Sequence, residues 1–94
     1  MIHGASGSVG MALIQLAKYM GLFTIGTAGS EPGLEMLKAA GANLALNHTD
    51  SDYVQAMKKS FPNGLDLIIE LESGLTINTD LELIKPKLGK IVVC

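Results

Sequence analysis

Short apolar runs alternate with amphipathic stretches along the whole chain, and glycine or proline marks most changes of period. Met1-Ile2-His3 reads as the end of a strand. Val9, Ala12, Leu13, Leu16, Ala17 and Met20 recur at helical spacing, which predicts a helix from Val9 to Met20 with those side chains on one buried face. Gly21 ends it, because glycine tolerates the left-handed conformation that closes helices. Leu22 to Thr27 reads as a short strand. Ser30 predicts an N-cap, with Pro32 in the first turn and Glu31 near the positive helix end. Leu34, Leu37 and Ala40 would face inward from this second helix, and Gly41 closes it.

Asn43 to Asn47 predicts a third strand, with Leu44-Ala45-Leu46 at its heart. Asp50 or Asp52 would cap a third helix whose apolar side is Tyr53, Val54, Met57 and Phe61. Pro62-Asn63-Gly64 is a turn, and Leu65 to Glu70 a strand. A fourth helix is expected from Leu75 or Thr76 to Ile84, a turn over Pro86 to Gly89, and a last strand from Lys90 to Cys94. The alternation β-α-β-α-β-α-β-α-β with short connections predicts an α/β fold: a Rossmann-type doubly wound parallel sheet of about five strands, its first strand truncated. In the strand order expected of such a sheet that short first strand is central. Low stability, or association through the open edge of the fifth strand, is therefore expected. No internal repeat, linker or domain boundary interrupts residues 1–94.

The densest motif lies near the start. In Gly4-Ala5-Ser6-Gly7-Ser8-Val9-Gly10, the spacing Ala5-x-Gly7-x-x-Gly10 is the dinucleotide-binding pattern with alanine in the first glycine place. Gly7 would let a pyrophosphate approach the backbone, and Gly10 would let the helix pack close on the strand. The N–H groups of Ser8 and Val9 would donate to the phosphates at the positive end of the helix. A glycine-rich turn that serves packing alone is the other reading. A P-loop does not fit, because Met11 follows Gly10 where a lysine is needed. The short-chain reductase glycine spacing also fails, no Tyr-x-x-x-Lys pair exists, and His3 stands where a methyltransferase would want a carboxylate. An NAD site usually carries an acidic residue about 20 residues beyond the loop. Thr27-Ala28-Gly29-Ser30 occupies that stretch and has none. A 2′-phosphate would not be repelled there and Ser30 could donate to it, which favours NADPH over NADH; NADH held through other contacts stays open.

Charge and composition remove several function classes. The net charge is −2, all seven cationic side chains are lysines, and no basic patch stands out, so nucleic acid is not an expected partner. Aromatic residues are few (Tyr19, Tyr53, Phe23 and Phe61), too few for a base-stacking surface. The single cysteine, Cys94, excludes an internal disulfide. No apolar run approaches the ~18 residues of a membrane span, and no signal-peptide pattern is present, from which a cytoplasmic location is expected. No Cys, His or carboxylate set has metal-ligand spacing. His48 is either a turn histidine or a cofactor contact. His3 is expected to be packed and structural. Glu70 and Glu72 flank a strand end and read first as a solvated turn, a catalytic pair being the other reading, and Lys58-Lys59 reads as a wet helix face. No catalytic residue is identified.

The run His3 to Gly10, then Gly26-Thr27-Ala28-Gly29-Ser30, Gly41-Ala42, Leu46-Asn47-His48 and Asp66-Leu67-Ile68-Ile69-Glu70, resembles the zeta-crystallin branch of the quinone oxidoreductases, in the medium-chain dehydrogenase/reductase family. The resemblance covers the whole chain, and its blocks come in the family order. It implies that residues 1–94 are a partial NAD(P)-binding Rossmann domain, without the family's separate catalytic domain, from a zinc-free NADPH:quinone reductase. It implies that Ser8 and Val9 meet the pyrophosphate and that Gly29 and Ser30 cradle the 2′-phosphate. His48 would lie near the adenosine phosphate, and Ser73 and Gly74 beside the cofactor after the fourth strand. A small quinone as substrate and a homo-oligomeric parent follow from the same resemblance. Two positions depart from the family: Gly33 replaces a lysine found in many relatives, and Cys94 replaces a glycine. With one wall of the nicotinamide pocket absent, the fragment alone is expected to be inactive. The alternatives are a non-catalytic nucleotide-binding module, a structural or RNA-binding crystallin-like protein, and a related zinc-free reductase acting on enals or enones.

Overall fold

The alternating pattern folds as a parallel sheet with helices on both faces. The structure, a computed structural model, describes residues 1–5, 7–50, 52–71, 81–86 and 89–93. Its elements are β1 (Ile2–His3), α1 (Ser8–Tyr19), β2 (Ile25–Ala28), α2 (Glu31–Ala40), β3 (Leu44–Asn47), α3 (Tyr53–Ser60), β4 (Leu67–Glu70) and β5 (Lys90–Val93). The strand order is β3-β2-β1-β4-β5, all parallel. The short first strand is therefore central, as expected of a Rossmann-type sheet. Of the expected fourth helix, residues 81–83 are described and are helical. Its start lies outside the described residues, as do Glu72, Ser73, Gly74 and Cys94.

Alternate strand residues face opposite sides of the sheet. On one side Ile2 and Ala28 pack with Ile14 of α1 and with Leu34 and Leu37 of α2. On the other, Ile25 and Ile68 pack with Met57 of α3 and with Leu83. Both helices of the first side press on β2 at Gly26. A Cβ there would lie 3.1 Å from Ile14 Cδ1 and 3.2 Å from Leu37 Cδ1, so the absent side chain sets how close the layers come. These two helices also end in the same way. The N–H of Leu22 reaches back to the carbonyl of Ala17 and that of Gly21 to Lys18, both at 3.0 Å; Ala42 and Gly41 repeat the pattern onto Leu37 and Lys38 at 3.0 and 3.1 Å. The closure requires a left-handed residue, and Gly21 (φ 78°) and Gly41 (φ 108°) supply it, as the sequence predicts. Ser30 caps α2 by accepting the Gly33 N–H at 3.2 Å.

Several expectations need correction. The buried stripe of α1 is Gly10 and Ile14, with Leu13 and Ala17 only half-buried. Val9, Leu16 and Met20 are 61%, 54% and 63% exposed, and Ala12 is exposed as well. The helix seats where it has no side chain, with Gly10 against the Ala5 backbone in the turn after β1, and that contact turns its most hydrophobic stripe away from the sheet. The second strand starts at Ile25 rather than Leu22, because the closing turn of α1 still holds Leu22. Asp52 takes the N-cap position of α3, one of the two expected, but makes no side-chain cap bond; the Asp50 carboxylate accepts the Asp52 N–H at 3.0 Å. Phe61 lies just beyond α3, its ring centroid 5.9 Å from that of Phe23. The fourth strand starts at Leu67, Leu65 making only a parallel bridge to Ile84.

Leu16, Met20, Leu22, Phe23 and Leu67 line an open apolar groove of about 420 Å³ at the N-terminal end of the strands. Lys58 of α3 and Glu82 approach to 3.2 Å across the second face, an exposed pair worth little to stability. No helix of the described residues is long and apolar enough to cross a membrane. Leu37 is fully buried, so Leu37→Ala is expected to destabilise the chain by about 2–5 kcal/mol in urea unfolding. Met36→Ala, one residue away on the exposed face, is expected to change it by less than about 0.5 kcal/mol.

Candidate functional site

Parallel strands all point their C-terminal ends the same way, and β2, the strand that follows β1, lies on one side of the β1–β4 pair while β5, the strand that follows β4, lies on the other. Ligands of open α/β sheets bind at such a switch point. The glycine loop occupies it. Gly4 takes the left-handed conformation (φ 74°), so the tight turn is made one residue before the position that the pattern names. Ala5, in the pattern's first glycine place, is fully buried. Two consecutive amides of this turn bond to one residue of β2: the Gly4 N–H donates to Thr27 Oγ1 at 2.9 Å, and the Ala5 N–H to the Thr27 carbonyl at 2.7 Å.

Gly7 is the N-cap of α1 and offers no side-chain cap, and the first turn carries no acidic residue. The amides of Ser8, Val9 and Gly10 are those that a helix start leaves without partners inside the helix. Ser8 and Val9 are exposed. A Cβ on Gly7 would meet none of the described residues within 4 Å, so among them its face is open to a ligand's phosphate. Gly10 differs. A Cβ there would overlap the backbone of Ala5, lying 2.5 Å from its Cα and 2.7 Å from its carbonyl carbon. The two glycines thus divide the work of the motif, one leaving room for a ligand and the other letting α1 seat on the turn.

The adjoining edge is formed by the ends of β2 and β3. Gly29 and Ser30 follow β2 and are exposed, and no carboxylate stands at the end of that strand. Glu31 opens α2 and is exposed. His48 follows β3, its N–H bonded to the Ala28 carbonyl at 3.1 Å. Its half-buried ring lies over Gly29, with Nε2 3.2 Å from where a Cβ would be. His48 Nδ1 is 3.2 Å from Thr27 Oγ1. Beneath them His3 is fully buried, its Nε2 3.2 Å from Tyr53 Oη and its ring edge-on to His48 at 5.7 Å. Glu70, at the end of β4, is in register with His3.

The fold thus brings Ala5, Gly7, Ser8, Val9 and Gly10 onto one turn and sets Gly29, Ser30 and His48 along the same edge of the sheet. Ser73, the remaining candidate, lies outside the described residues. Gly33 is buried in the first turn of α2, where its amide is taken by Ser30. Gly4, Thr27 and Tyr53 join the site without a motif to announce them. Gly4 stands directly before the glycine pattern, a hint in the sequence. Thr27 and Tyr53 carry no such signal, because their roles depend on strands and a helix far apart in the chain. Among the described residues no three His, Cys, Asp or Glu side chains converge where a metal ion could sit.

The chain belongs to the zinc-binding dehydrogenase family, whose profile it matches over residues 8–94. This bears out the medium-chain dehydrogenase/reductase resemblance carried by the glycine loop and the blocks after it. It is 38% identical over 94 residues to a quinone oxidoreductase of Sus scrofa, covering 99% of this chain and 28% of that protein. It is 36% identical over 96 residues to an NADP(+)-dependent 2-alkenal reductase of Nicotiana tabacum, covering 99% of this chain and 27% of that protein. The Escherichia coli quinone oxidoreductase solved with NADPH superposes with a TM-score of 0.83 at 20% identity, over 99% of this chain and 36% of that one. That last likeness is one of fold. The chain spans little more than a quarter of the curated relatives it matches.

The two loop glycines are separable by experiment. Gly10→Ala is expected to lower stability by about 1–3 kcal/mol, since backbone must move to admit the methyl group. Gly7→Ala should leave urea unfolding unchanged within about 0.5 kcal/mol and weaken dinucleotide binding measured by calorimetry.

Proposed function

We propose that residues 1–94 are the nucleotide-binding part of an NADPH-dependent oxidoreductase whose acceptor is a small quinone. The observation that carries the reading is the edge formed by the glycine turn together with Gly29, Ser30 and His48. It offers unpaired helix-start amides to a pyrophosphate, and it lacks the carboxylate that would select the ribose hydroxyls of NADH. In this reading the Ser8 and Val9 amides hold the pyrophosphate beside Ala5, Gly7 and Gly10. The Ser30 hydroxyl, whose oxygen accepts the Gly33 N–H, keeps its own hydrogen to donate to a 2′-phosphate. His48 stands beside it over Gly29, and Ser73 would contact the cofactor farther along. Bound NADPH supplies the hydride. The chain's own part is to bind and orient that cofactor. The substrate pocket would be completed by the rest of a longer protein, in keeping with the 28% of the Sus scrofa enzyme that the chain covers. The likeness to the tobacco 2-alkenal reductase favours one second reading, in which the same nucleotide site serves reduction of an enal or enone.

Calorimetry with NADPH and NADH tests the nucleotide reading. The chain is expected to bind NADPH at least about tenfold more tightly than NADH. Ser30→Asp should abolish that preference while the chain stays folded, because aspartate caps helices as well as serine does. Equal binding of both nucleotides by the native chain would refute the assignment to NADPH. The 94 residues alone are expected to show no NADPH-dependent reduction of 1,4-benzoquinone above the uncatalysed background. The longer protein that contains them is expected to turn it over, and a longer protein that reduces 2-hexenal but not the quinone would favour the second reading.

A further inference from the structure

We infer that Thr27 is a positioning residue for nucleotide selectivity. Its hydroxyl holds His48 in the tautomer that presents an N–H over the Gly29–Ser30 turn. The inference rests on the reading of that turn as the 2′-phosphate site. Thr27 is fully buried, and its hydroxyl has one hydrogen to place. Its oxygen already accepts the Gly4 N–H at 2.9 Å. The other group within hydrogen-bond distance among the described residues is His48 Nδ1, at 3.2 Å. A hydrogen on Nδ1 would give the Thr27 oxygen a second donor and leave its own hydrogen buried without an acceptor, which costs the full desolvation of that group. The hydroxyl therefore donates to Nδ1, and the ring hydrogen of the neutral imidazole sits on Nε2.

Nε2 is the atom that lies over Gly29, and no partner takes it among the described residues. A neutral His48 then offers a donor to an anion at the turn without having to be protonated. The same hydroxyl ties this donor to the other half of the site. The hydroxyl oxygen takes the Gly4 N–H and the backbone carbonyl of Thr27 takes that of Ala5, so one residue ties the start of the glycine turn to the phosphate-selecting edge. Serine keeps the hydroxyl and valine keeps the shape without it, so the pair of substitutions separates chemistry from packing.

The test uses the ¹⁵N-labelled 94-residue chain. Long-range ¹H–¹⁵N correlation at a pH where the imidazoles are neutral is expected to show His48 protonated at Nε2 in the native chain and in Thr27→Ser. In Thr27→Val the two tautomers should mix. Calorimetry is then expected to show the NADPH preference retained in Thr27→Ser. In Thr27→Val the ratio of NADPH to NADH affinity should fall by about tenfold, the loss of roughly one hydrogen bond to a charged group, whereas loosening of the glycine turn would lower both affinities alike and leave that ratio unmoved. An Nδ1-protonated His48 in the native chain overturns the inference, and so does a folded Thr27→Val that keeps the full preference. If Thr27→Val does not fold, a Thr27→Ser chain that loses the preference overturns it just as well. Failure of the native chain to bind either nucleotide refutes the nucleotide site itself, whichever tautomer His48 adopts.

Discussion

Ile2 and His3 pair with a strand on each side at once, and the sheet is continuous only because they do. Ile2 lies opposite Gly26 of β2 and Ile69 of β4, and His3 opposite Glu70. The backbone bonds around them are short: Ile69 N–H to the Met1 carbonyl at 2.9 Å, Leu71 N–H to the His3 carbonyl at 3.1 Å, and Ala5 N–H to the Thr27 carbonyl at 2.7 Å. The terminal ammonium of Met1 donates to the Leu67 carbonyl at 2.8 Å. A strand of two residues has little side-chain surface of its own to bury. Its position is held by the two longer strands that flank it and by Ile2, which sits in the core between α1 and α2.

The site inherits its order from that junction. Because β1 is central, the turn that leaves it opens at the point where the connections diverge, and α1 starts there with its first amides uncommitted. The turn is pinned from below by one residue of β2, and the same residue reaches the ring that overhangs the next edge. Buried polar groups are tolerable only when bonded. Two bonded sets meet that requirement within the C-terminal rim of the sheet, Thr27 with Gly4 and His48, and His3 with Tyr53, and the two histidine rings meet edge-on between them. These polar groups are thereby kept in fixed orientations by the same bonds that make their burial tolerable.

The opposite end of the sheet has the reverse character. Leu16, Met20, Leu22 and Phe23 are large, apolar and exposed there, beside the start of β4. Single exposed apolar side chains are ordinary, but these adjoin one another. The hydrophobic stripe of α1 runs toward this groove rather than toward the sheet. That explains why its spacing so clearly announces a helix and yet misplaces the face that is buried.

Local rules were enough for much of this chain. The order of strands and helices, the closures at Gly21 and Gly41, the cap at Ser30 and the inward pair Leu34 and Leu37 all follow from interactions between residues a few positions apart, so the sequence carries them directly. The glycine spacing and the missing carboxylate near Ala28 are local in the same sense, and they single out the edge proposed to hold the nucleotide. The rotation of α1 is not legible there, because it depends on which residue allows the closest approach to the turn after β1, and Gly10 adds no hydrophobicity to the pattern. Nor was the pairing of Thr27 with Gly4 and His48, or of His3 with Tyr53, since those partners are separated by 23, 21 and 50 residues. Contacts at such separations form only when the strands lie side by side, and only then does a threonine in an apolar strand become the link between two halves of a site.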